Sequence, residues 1–177
     1  ALFWFGVDVL RVVAPAFIVK KQGTASQNLA EAHTILQLIK QCVQLVSPGM
    51  ALLAEAIVAP DEIMKYFGTG EYANRECDLA YNATQMALQW DALATGDTRV
   101  MLAAQSKLLN KPFGASWLTY TRCHDDIGLG YDDDMIGSAG YHPAEHRKFL
   151  KNYYSGNYHS SPATVTLVSV TAKTGPA

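Results

Sequence analysis

Two carboxylates in this 177-residue chain each follow a short apolar run. Glu55 comes directly after Met50–Ala54, and Asp125 comes after Ser116–Thr121 and the tripeptide Arg122-Cys123-His124. A buried parallel strand would release each of them into the loop at its carboxyl end. Two carboxylates facing one pocket can cleave a sugar acetal, because one protonates the leaving oxygen while the other stabilises or attacks the anomeric carbon.

A third strand end lacks the acid that such a site would need. The β-branched run Val9–Val13 contains Arg11 and ends on an apolar residue, Val13. A cation on a core strand needs a partner, and Asp8 or a backbone carbonyl would be enough for a purely structural role.

The elements that must position these residues alternate between strand and helix patterns. The predicted order is strand Val9–Val13, helix Leu29–Val46, strand Met50–Ala54, helix Pro60–Phe67, strand Cys77–Tyr81, a helix capped by Asn82, helix Thr98–Leu109 and strand Ser116–Thr121. This order implies a parallel sheet with right-handed crossovers. The alternation fails beyond Gly128, where a short helix near Pro143–Tyr154 precedes a segment, Thr164–Val170, that alternates like an exposed strand. We therefore interpret residues from 129 onward as a separate segment that does not continue the alternation of strands and helices.

Composition narrows the range of partners. The chain is 49% apolar and 17% charged, and its 14 basic residues are scattered and outnumbered by 16 acids, so we expect no nucleic-acid partner. The apolar run Val9–Val19 is interrupted by Arg11 and Pro15, so we also expect no membrane span.

The three cysteines and the first residue bear on location. Cys42, Cys77 and Cys123 lie far apart without C-x-x-C spacing, which favours free thiols in a reducing compartment. The chain starts at Ala1 within apolar sequence, and we expect it to be part of a longer protein. A cytoplasmic bacterial location is the prediction, with secretion left open.

Several motifs in register resemble the amylosucrases, the sucrose-using glucan synthases of the α-amylase superfamily (glycoside hydrolase family 13). These motifs are Gly6-Val7-Asp8-Val9-Leu10-Arg11, Lys20-x-x-Gly23-Thr24, Ala54-Glu55-Ala56-Ile57-Val58, Glu76-Cys77-Asp78-Leu79-Ala80-Tyr81-Asn82, Arg122-x-His124-Asp125-Asp126-Ile127-Gly128 and Tyr153-Tyr154-Ser155-Gly156. They follow one another in the family's order over nearly all of the chain.

The resemblance implies an incomplete (β/α)8 TIM barrel. Residues 1–128 would form about four parallel strands with flanking helices, corresponding to barrel strands four to seven. Residues 129–177 would belong to an irregular α+β insertion after strand seven. The missing remainder of the barrel would then be a partner of this chain, facing inward residues such as Leu10, Val12, Leu53 and Leu118.

The resemblance also implies roles for individual residues, and it implies no cofactor and no metal. Sucrose and α-glucan oligosaccharides would be the ligands, and an α-1,4-glucan the product. The implied roles are general acid/base for Glu55, transition-state stabiliser for Asp125, a hydrogen bond to the glucosyl ring for His124, support of an ionised nucleophile for Arg11, and lining of the neighbouring subsite for Ile57 and Asp126.

The nucleophile position departs from the family. An Arg-x-Asp pattern places the nucleophile two residues after Arg11, and this chain has Val13 there. Valine cannot form a glycosyl ester, so we expect the chain to be inactive as it stands. Val19 and Leu129 also stand where tryptophan is usual. A non-catalytic sugar-binding remnant, or pseudoenzyme, is the main alternative.

A distant alternative is a zinc protease. The segment His142-Pro143-Ala144-Glu145-His146 matches the H-x-x-E-H pattern, in which both histidines must share one helical face. Proline is most comfortable as the first residue of a helix, which would leave His142 outside it as a cap.

Overall fold

The computed structural model describes residues 6–124 and 128–164. Four parallel strands form one sheet in the order β1-β2-β3-β4: β1 (Val9–Val13), β2 (Ala51–Glu55), β3 (Leu79–Tyr81) and β4 (Ser116–Leu118). Spatial order equals chain order, so each crossover places the next strand beside the previous one. The predicted α/β fold with a parallel sheet is confirmed, and it is consistent with part of a TIM barrel.

Helices connect and flank the strands. They are α1 (Ala30–Val46), α2 (Pro60–Ile63) with the 3-10 turn Met64–Phe67, α3 (Ala83–Thr95), α4 (Arg99–Leu109), α5 (Asp133–Ser138) and α6 (Pro143–Tyr154). Three helices begin where the sequence predicts. Pro60 and Pro143 are the first residues of α2 and α6, and Asn82 caps α3, because its Oδ1 accepts a 2.9 Å hydrogen bond from the Gln85 amide. None of the helices in the described part of the chain is long and apolar enough to cross a bilayer.

The third and fourth strands are shorter than predicted. The Cys77 amide donates to the Tyr66 carbonyl at 2.9 Å, so the chain joins the sheet as a strand only from Leu79. The fourth strand ends at Leu118 because its register partner, Tyr81, is the last residue of β3. The following residue of β3 already turns away as the cap of α3.

The helix-covered face of the sheet holds the main core. Residues of that core include Leu10, Val12, Leu52, Ala54, Ala80, Leu36, Tyr66 and Phe67. This corrects the expectation that Leu10 and Val12 point into the barrel interior. Successive strand residues alternate between faces, and Arg11 occupies the opposite face, so its two neighbours must pack against the helices.

The opposite face of the sheet is apolar and largely open. Val9 is 47% exposed and Leu118 is 38% exposed, whereas Leu53, in register with Arg11, is only 6% exposed. The alternation places Leu53 and Leu118 on this face, as expected for side chains of a barrel interior.

A second core joins α5 and α6 to α3 and α4. Its buried residues are Ala87, Leu88, Val100, Ala104, Leu108, Tyr131, Met135, Ile136, Ala139 and Leu150. The sequence pattern changes near residue 129, but the packing is continuous there, because α5 and α6 pack directly against α3 and α4. The division into a barrel part and an insertion remains a prediction. Of the predicted strand Thr164–Val170, all but Thr164 lies outside the described residues.

Candidate active site

The carboxyl ends of the strands align along one edge of the sheet. Val13 is the register partner of Glu55, and Tyr81 is the register partner of Leu118. The register of Ala54 with Ala80 extends this row from β2 to β3. In barrels of alternating strands and helices, this edge is where the active site is built.

Arg11 and Glu55 form an ion pair on that edge. Arg11 Nη2 lies 3.1 Å from Glu55 Oε1, and the two side chains are 38% and 9% exposed. Both residues occupy the open face, and Arg11 lies two residues before the end of its strand, so its long side chain reaches the neighbouring strand end. A nearly buried carboxylate requires a compensating cation, and the guanidinium supplies it. The partner of Arg11 is thus Glu55, where the sequence also allowed Asp8 or a backbone carbonyl.

Val13 lies directly beside this pair. Its side chain is 60% exposed and is in register with Glu55 on the neighbouring strand. An isopropyl group at this point can neither attack an anomeric carbon nor accept a hydrogen bond from Arg11. The arginine that the resemblance assigns to the nucleophile is therefore paired with Glu55 instead.

The structure describes only two of the four remaining predicted site residues, Ile57 and His124. Ile57 is 51% exposed, two residues after Glu55, and His124 is exposed in the segment after β4. Asp125 and Asp126 lie outside the described residues. The structure thus brings Arg11, Val13 and Glu55 together. The roles assigned to these residues, like those assigned to Asp125, His124, Ile57 and Asp126, stay predictions.

Tyr81 and Tyr120 are edge residues that the sequence interpretation missed. Their ring centroids are 5.1 Å apart with an interplanar angle of 69°. Tyr81 ends β3 beside Glu55, and Tyr120 comes two residues after Leu118, so the alternation points both toward the open face. Aromatic side chains of this kind line small-molecule pockets. The signal was present: Tyr81 is the last residue of a predicted strand.

A hydrogen-bonded chain ties the segment between β1 and α1 to α2 and the 3-10 turn, which follow β2. The Tyr66 hydroxyl donates to Asn28 Oδ1 at 2.5 Å, and Asn28 Nδ2 donates to Glu62 Oε2 at 3.4 Å. Burial, with Glu62 and Glu76 nearby, raises the pKa of Tyr66 and keeps its hydroxyl protonated as a donor. The segments that follow β1 and β2, the two strands of the Arg11–Glu55 pair, are therefore held to one another.

The histidines of the H-x-x-E-H segment do not converge. Pro143 is the first residue of α6 and His142 is its exposed cap, as predicted. His146 is buried, and its Nε2 lies 2.5 Å from Asp91 Oδ2. Within residues 6–124 and 128–164, no group of three or more histidine, cysteine, aspartate or glutamate side chains is arranged to hold a metal ion.

The fold and this edge define a class: a parallel α/β sheet, consistent with part of a TIM barrel, with an arginine–glutamate pair at the carboxyl ends of its strands. Curated relatives support the same class. The chain is 29% identical to the trehalose synthase/amylase of Mycobacterium tuberculosis over 129 residues, which are 72% of this chain and 22% of that protein. It is 31% identical to the trehalose synthase of Thermus thermophilus over 130 residues, 72% of this chain and 13% of that protein.

A third relative is the glucosylglycerate phosphorylase of Escherichia coli, 26% identical over 124 residues, which are 70% of this chain and 22% of that protein. The chain thus spans about a fifth or less of the length of these relatives. No protein-family model matches it. The relatives support the α-amylase superfamily, glycoside hydrolase family 13, and a glycosidase or glucosyltransferase; they do not support amylosucrase specifically.

Proposed function

We propose that this chain carries half of the glucosyl-transfer site of an amylosucrase-type enzyme, with sucrose as donor and α-glucan oligosaccharides as acceptors. The observation that carries the proposal is the Arg11–Glu55 pair at the carboxyl ends of two adjacent parallel strands. An acid at that place is what acetal cleavage requires.

The proposed chemistry assigns one step to each side chain. Glu55 protonates the glycosidic oxygen of the donor and later removes the proton from the acceptor hydroxyl. Asp125 stabilises the positive charge that develops on the glucosyl ring, and His124 holds that ring by a hydrogen bond. Ile57 and Asp126 line the adjoining subsite. Nucleophilic attack on the anomeric carbon would come from the residue at position 13, but the valine there has no carboxylate.

The identity of the donor, sucrose, is the most specific part of the proposal. The names of the relatives refer to trehalose and glucosylglycerate, both glucosyl compounds, which supports a glucosyl site in general. Sucrose rests on the sequence motifs alone. A cytoplasmic location and the absence of a cofactor are likewise part of the proposal.

The remainder of the barrel is the proposed protein partner. Val9, Val13 and Leu118 expose apolar surface on the open face, which strands of the same barrel would cover. A site completed in that way would enclose Glu55 and exclude water from the transfer step.

A non-catalytic sugar-binding remnant is the second candidate, and Val13 favours it. The guanidinium of Arg11 donates hydrogen bonds and the Glu55 carboxylate accepts them, so the pair can hold sugar hydroxyls without cleaving anything. An exposed valine beside them offers an apolar contact for a pyranose ring.

A full-length chimera tests the proposal. Residues 6–164 replace the corresponding segment of a complete amylosucrase, and fructose release from sucrose is measured for the chimera and for its Val13→Asp variant. We expect release only with the aspartate. Val13→Asn, which has the same shape without the charge, is the matched control and should stay silent, as should Val13→Asp combined with Glu55→Gln.

The outcomes separate the two candidates. A folded Val13→Asp chimera that binds glucosyl ligands but releases no fructose would favour the sugar-binding remnant. Activity of the chimera with valine retained would contradict the assignment of position 13. If the chimera released glucose from trehalose but no fructose from sucrose, the proposed class of glucosyl-transferring enzyme would stand and sucrose as the donor would be contradicted.

A further inference from the structure

We infer that the Tyr81 ring lines the subsite next to Glu55 and packs against the sugar on the far side of the glycosidic oxygen. Tyr81 thereby determines which leaving sugar and which acceptor the site takes. The inference rests on the proposed function in one respect, since it takes Glu55 as the residue that protonates the glycosidic oxygen. The register of the sheet and the contacts around Tyr81, all among described residues, carry the rest.

Tyr81 and Glu55 are neighbours in one layer of the sheet. Ala54 of β2 is in register with Ala80 of β3, and both are buried in the core on the helix-covered face. The next residue on each strand, Glu55 and Tyr81, therefore projects from the open face. Val13 is in register with Glu55 on its other side. The layer thus runs from position 13 through Glu55 to Tyr81, at the strand spacing of about 4.8 Å.

The order of this layer decides on which side of Glu55 each sugar lies. The carboxyl group of Glu55 must reach the glycosidic oxygen, and the proposed attack on the anomeric carbon comes from position 13. Position 13 and Tyr81 lie on opposite sides of Glu55, about 10 Å apart across the sheet. The glucosyl ring therefore lies toward position 13, and the sugar beyond the oxygen lies over Tyr81.

The chemistry of a tyrosine suits a sugar-binding position. A sugar ring presents C–H groups that pack on an aromatic face, and hydroxyls that need polar partners. Tyrosine offers both an apolar ring and a hydroxyl that donates and accepts hydrogen bonds. Tyr81 is half-buried, so part of its side chain is open to a ligand. Its register partner Leu118 continues the apolar surface on the next strand.

The backbone of Tyr81 is fixed on both sides of the residue. Ala80, directly before it, is fully buried in the core. Directly after it, the Asn82 amide donates to the Leu118 carbonyl at 3.0 Å. The Asn82 side chain accepts a hydrogen bond from the Gln85 amide as the cap of α3. The point from which the ring projects is therefore set by the sheet and the helix together.

Tyr120 supports the ring itself. The two rings meet edge to face, with centroids 5.1 Å apart and an interplanar angle of 69°. The backbone after Tyr120 is held in turn, because Trp90 Nε1 donates a 2.8 Å hydrogen bond to the Thr121 carbonyl. An aromatic ring that is positioned in advance loses little conformational freedom when a sugar packs on it, which favours binding.

Binding to the 177-residue chain tests the inference without turnover. In Tyr81→Ala we expect the affinity for maltose, measured by calorimetric titration, to fall about tenfold, because the stacked ring is lost. Tyr81→Phe keeps the ring and should retain most of the affinity. Tyr72→Ala, at an exposed tyrosine of the 3-10 turn Gly70–Tyr72, is the matched control and should bind maltose as the original chain does. Equal affinities of Tyr81→Ala and the original chain would overturn the inference.

Turnover separates a role in the subsite from a role in the fold. In the full-length chimera with Val13→Asp, Tyr81→Ala should raise the KM for maltose as acceptor about tenfold and slow the release of fructose from sucrose. The loss should be much smaller for hydrolysis of α-glucosyl fluoride, because its leaving group is a single atom that does not reach Tyr81. Equal losses with sucrose and with α-glucosyl fluoride would show a purely structural role and contradict the inference.

The two measurements distinguish this inference from the proposed function. If Tyr81→Ala weakens maltose binding but the Val13→Asp chimera turns over neither donor, the assignment of Tyr81 to a sugar subsite stands and the proposed function is contradicted. If the chimera is active and Tyr81→Ala changes neither the KM for maltose nor fructose release, the proposed function stands and the assignment of Tyr81 fails. Absence of maltose binding by both the original chain and the chimera would contradict the inference.

Discussion

Arg11 Nη2 lies 3.1 Å from Glu55 Oε1, so the guanidinium that the resemblance assigns to a nucleophile is bound to Glu55 instead. Val13 offers this arginine no alternative partner on its own strand end. The Glu55 side chain is only 9% exposed, and the Arg11 guanidinium is the cation that compensates for the burial of this carboxylate. The pair thus supports the fold and occupies the proposed site.

Removal of that arginine should destabilise the protein. Arg11→Gln leaves Glu55 without its cation, and we expect a loss of about 1–3 kcal/mol in the free energy of unfolding, since the partial exposure of Arg11 lets water compensate in part. Urea denaturation measures it. Arg75→Gln, at an exposed arginine, is the control and should stay within about 0.5 kcal/mol of the original chain. Equal effects of the two substitutions would contradict the importance of the ion pair.

The buried joint between α3 and α6, in which His146 contacts Asp91, should matter more. His146→Phe keeps an aromatic ring but removes one of the two hydrogen-bond partners of the buried Asp91 carboxylate, leaving only the Tyr131 hydroxyl, and we expect a loss of about 3–5 kcal/mol. His142→Phe, at the exposed cap of the same helix, should cost little. Adding Asp91→Asn to His146→Phe should recover part of the stability, because the stranded charge is then gone. A loss in His146→Phe no greater than in His142→Phe would be evidence against the joint.

Stability should fall at alkaline pH. Burial raises the pKa of the Cys77 thiol and of the Tyr154 hydroxyl to about 12 each, and it raises the pKa of Tyr131 further. These groups hold their protons longer in the folded state than in the unfolded state. Their contribution is therefore complete below the unfolded values of 9.0 and 10.0 and is lost as pH rises toward the folded values.

Melting temperatures between pH 8 and roughly pH 11 measure this loss. Tyr154→Phe should flatten the alkaline decline, whereas Tyr158→Phe, at an exposed tyrosine, should leave its slope unchanged. A melting temperature that does not decline over this range would contradict the assignment of buried, protonated hydroxyls.

The isolated chain should self-associate. Within the described sheet, β1 and β4 each pair with one strand only, and the open face exposes Val9, Val13 and Leu118. Unpaired strand edges next to apolar surface favour pairing with other chains. Sedimentation should show concentration-dependent oligomers, which Val9→Lys should reduce. A compact monomer with strongly protected Val9–Val13 amides would show this expectation to be wrong.

The sequence was sufficient for most of the elements, although α5 was not predicted and two strands were predicted too long, and it did not determine which face each strand residue occupies. Proline and asparagine signals placed the starts of α2, α3 and α6 correctly, because caps are local chemistry. The strand run around Arg11 was found, but all its neighbours are apolar, so nothing local told which of them face the helices. Register with Glu55 decides that, and register is a property of two strands together.

The long-range contacts could not be predicted from the sequence for the same reason. Asp91 and His146 are 55 residues apart, and no local sequence pattern around either residue indicates that the two are in contact. The sequence places His146 in a possible zinc motif, whereas its partner in the structure is the Asp91 carboxylate on α3. Tyr81 was visible at a strand end, yet its pairing with Tyr120 depends on two strands meeting.

Covalent trapping tests most directly the central claim, that position 13 faces the anomeric carbon beside Glu55. The chimera with Val13→Asp and Glu55→Gln is incubated with α-glucosyl fluoride, a donor that needs no acid to leave, and its peptides are examined by mass spectrometry. We predict a glucosyl adduct on the peptide containing position 13, which accumulates because no base remains to activate an acceptor. A folded chimera with no adduct there, or with the adduct on another carboxylate, would contradict the account.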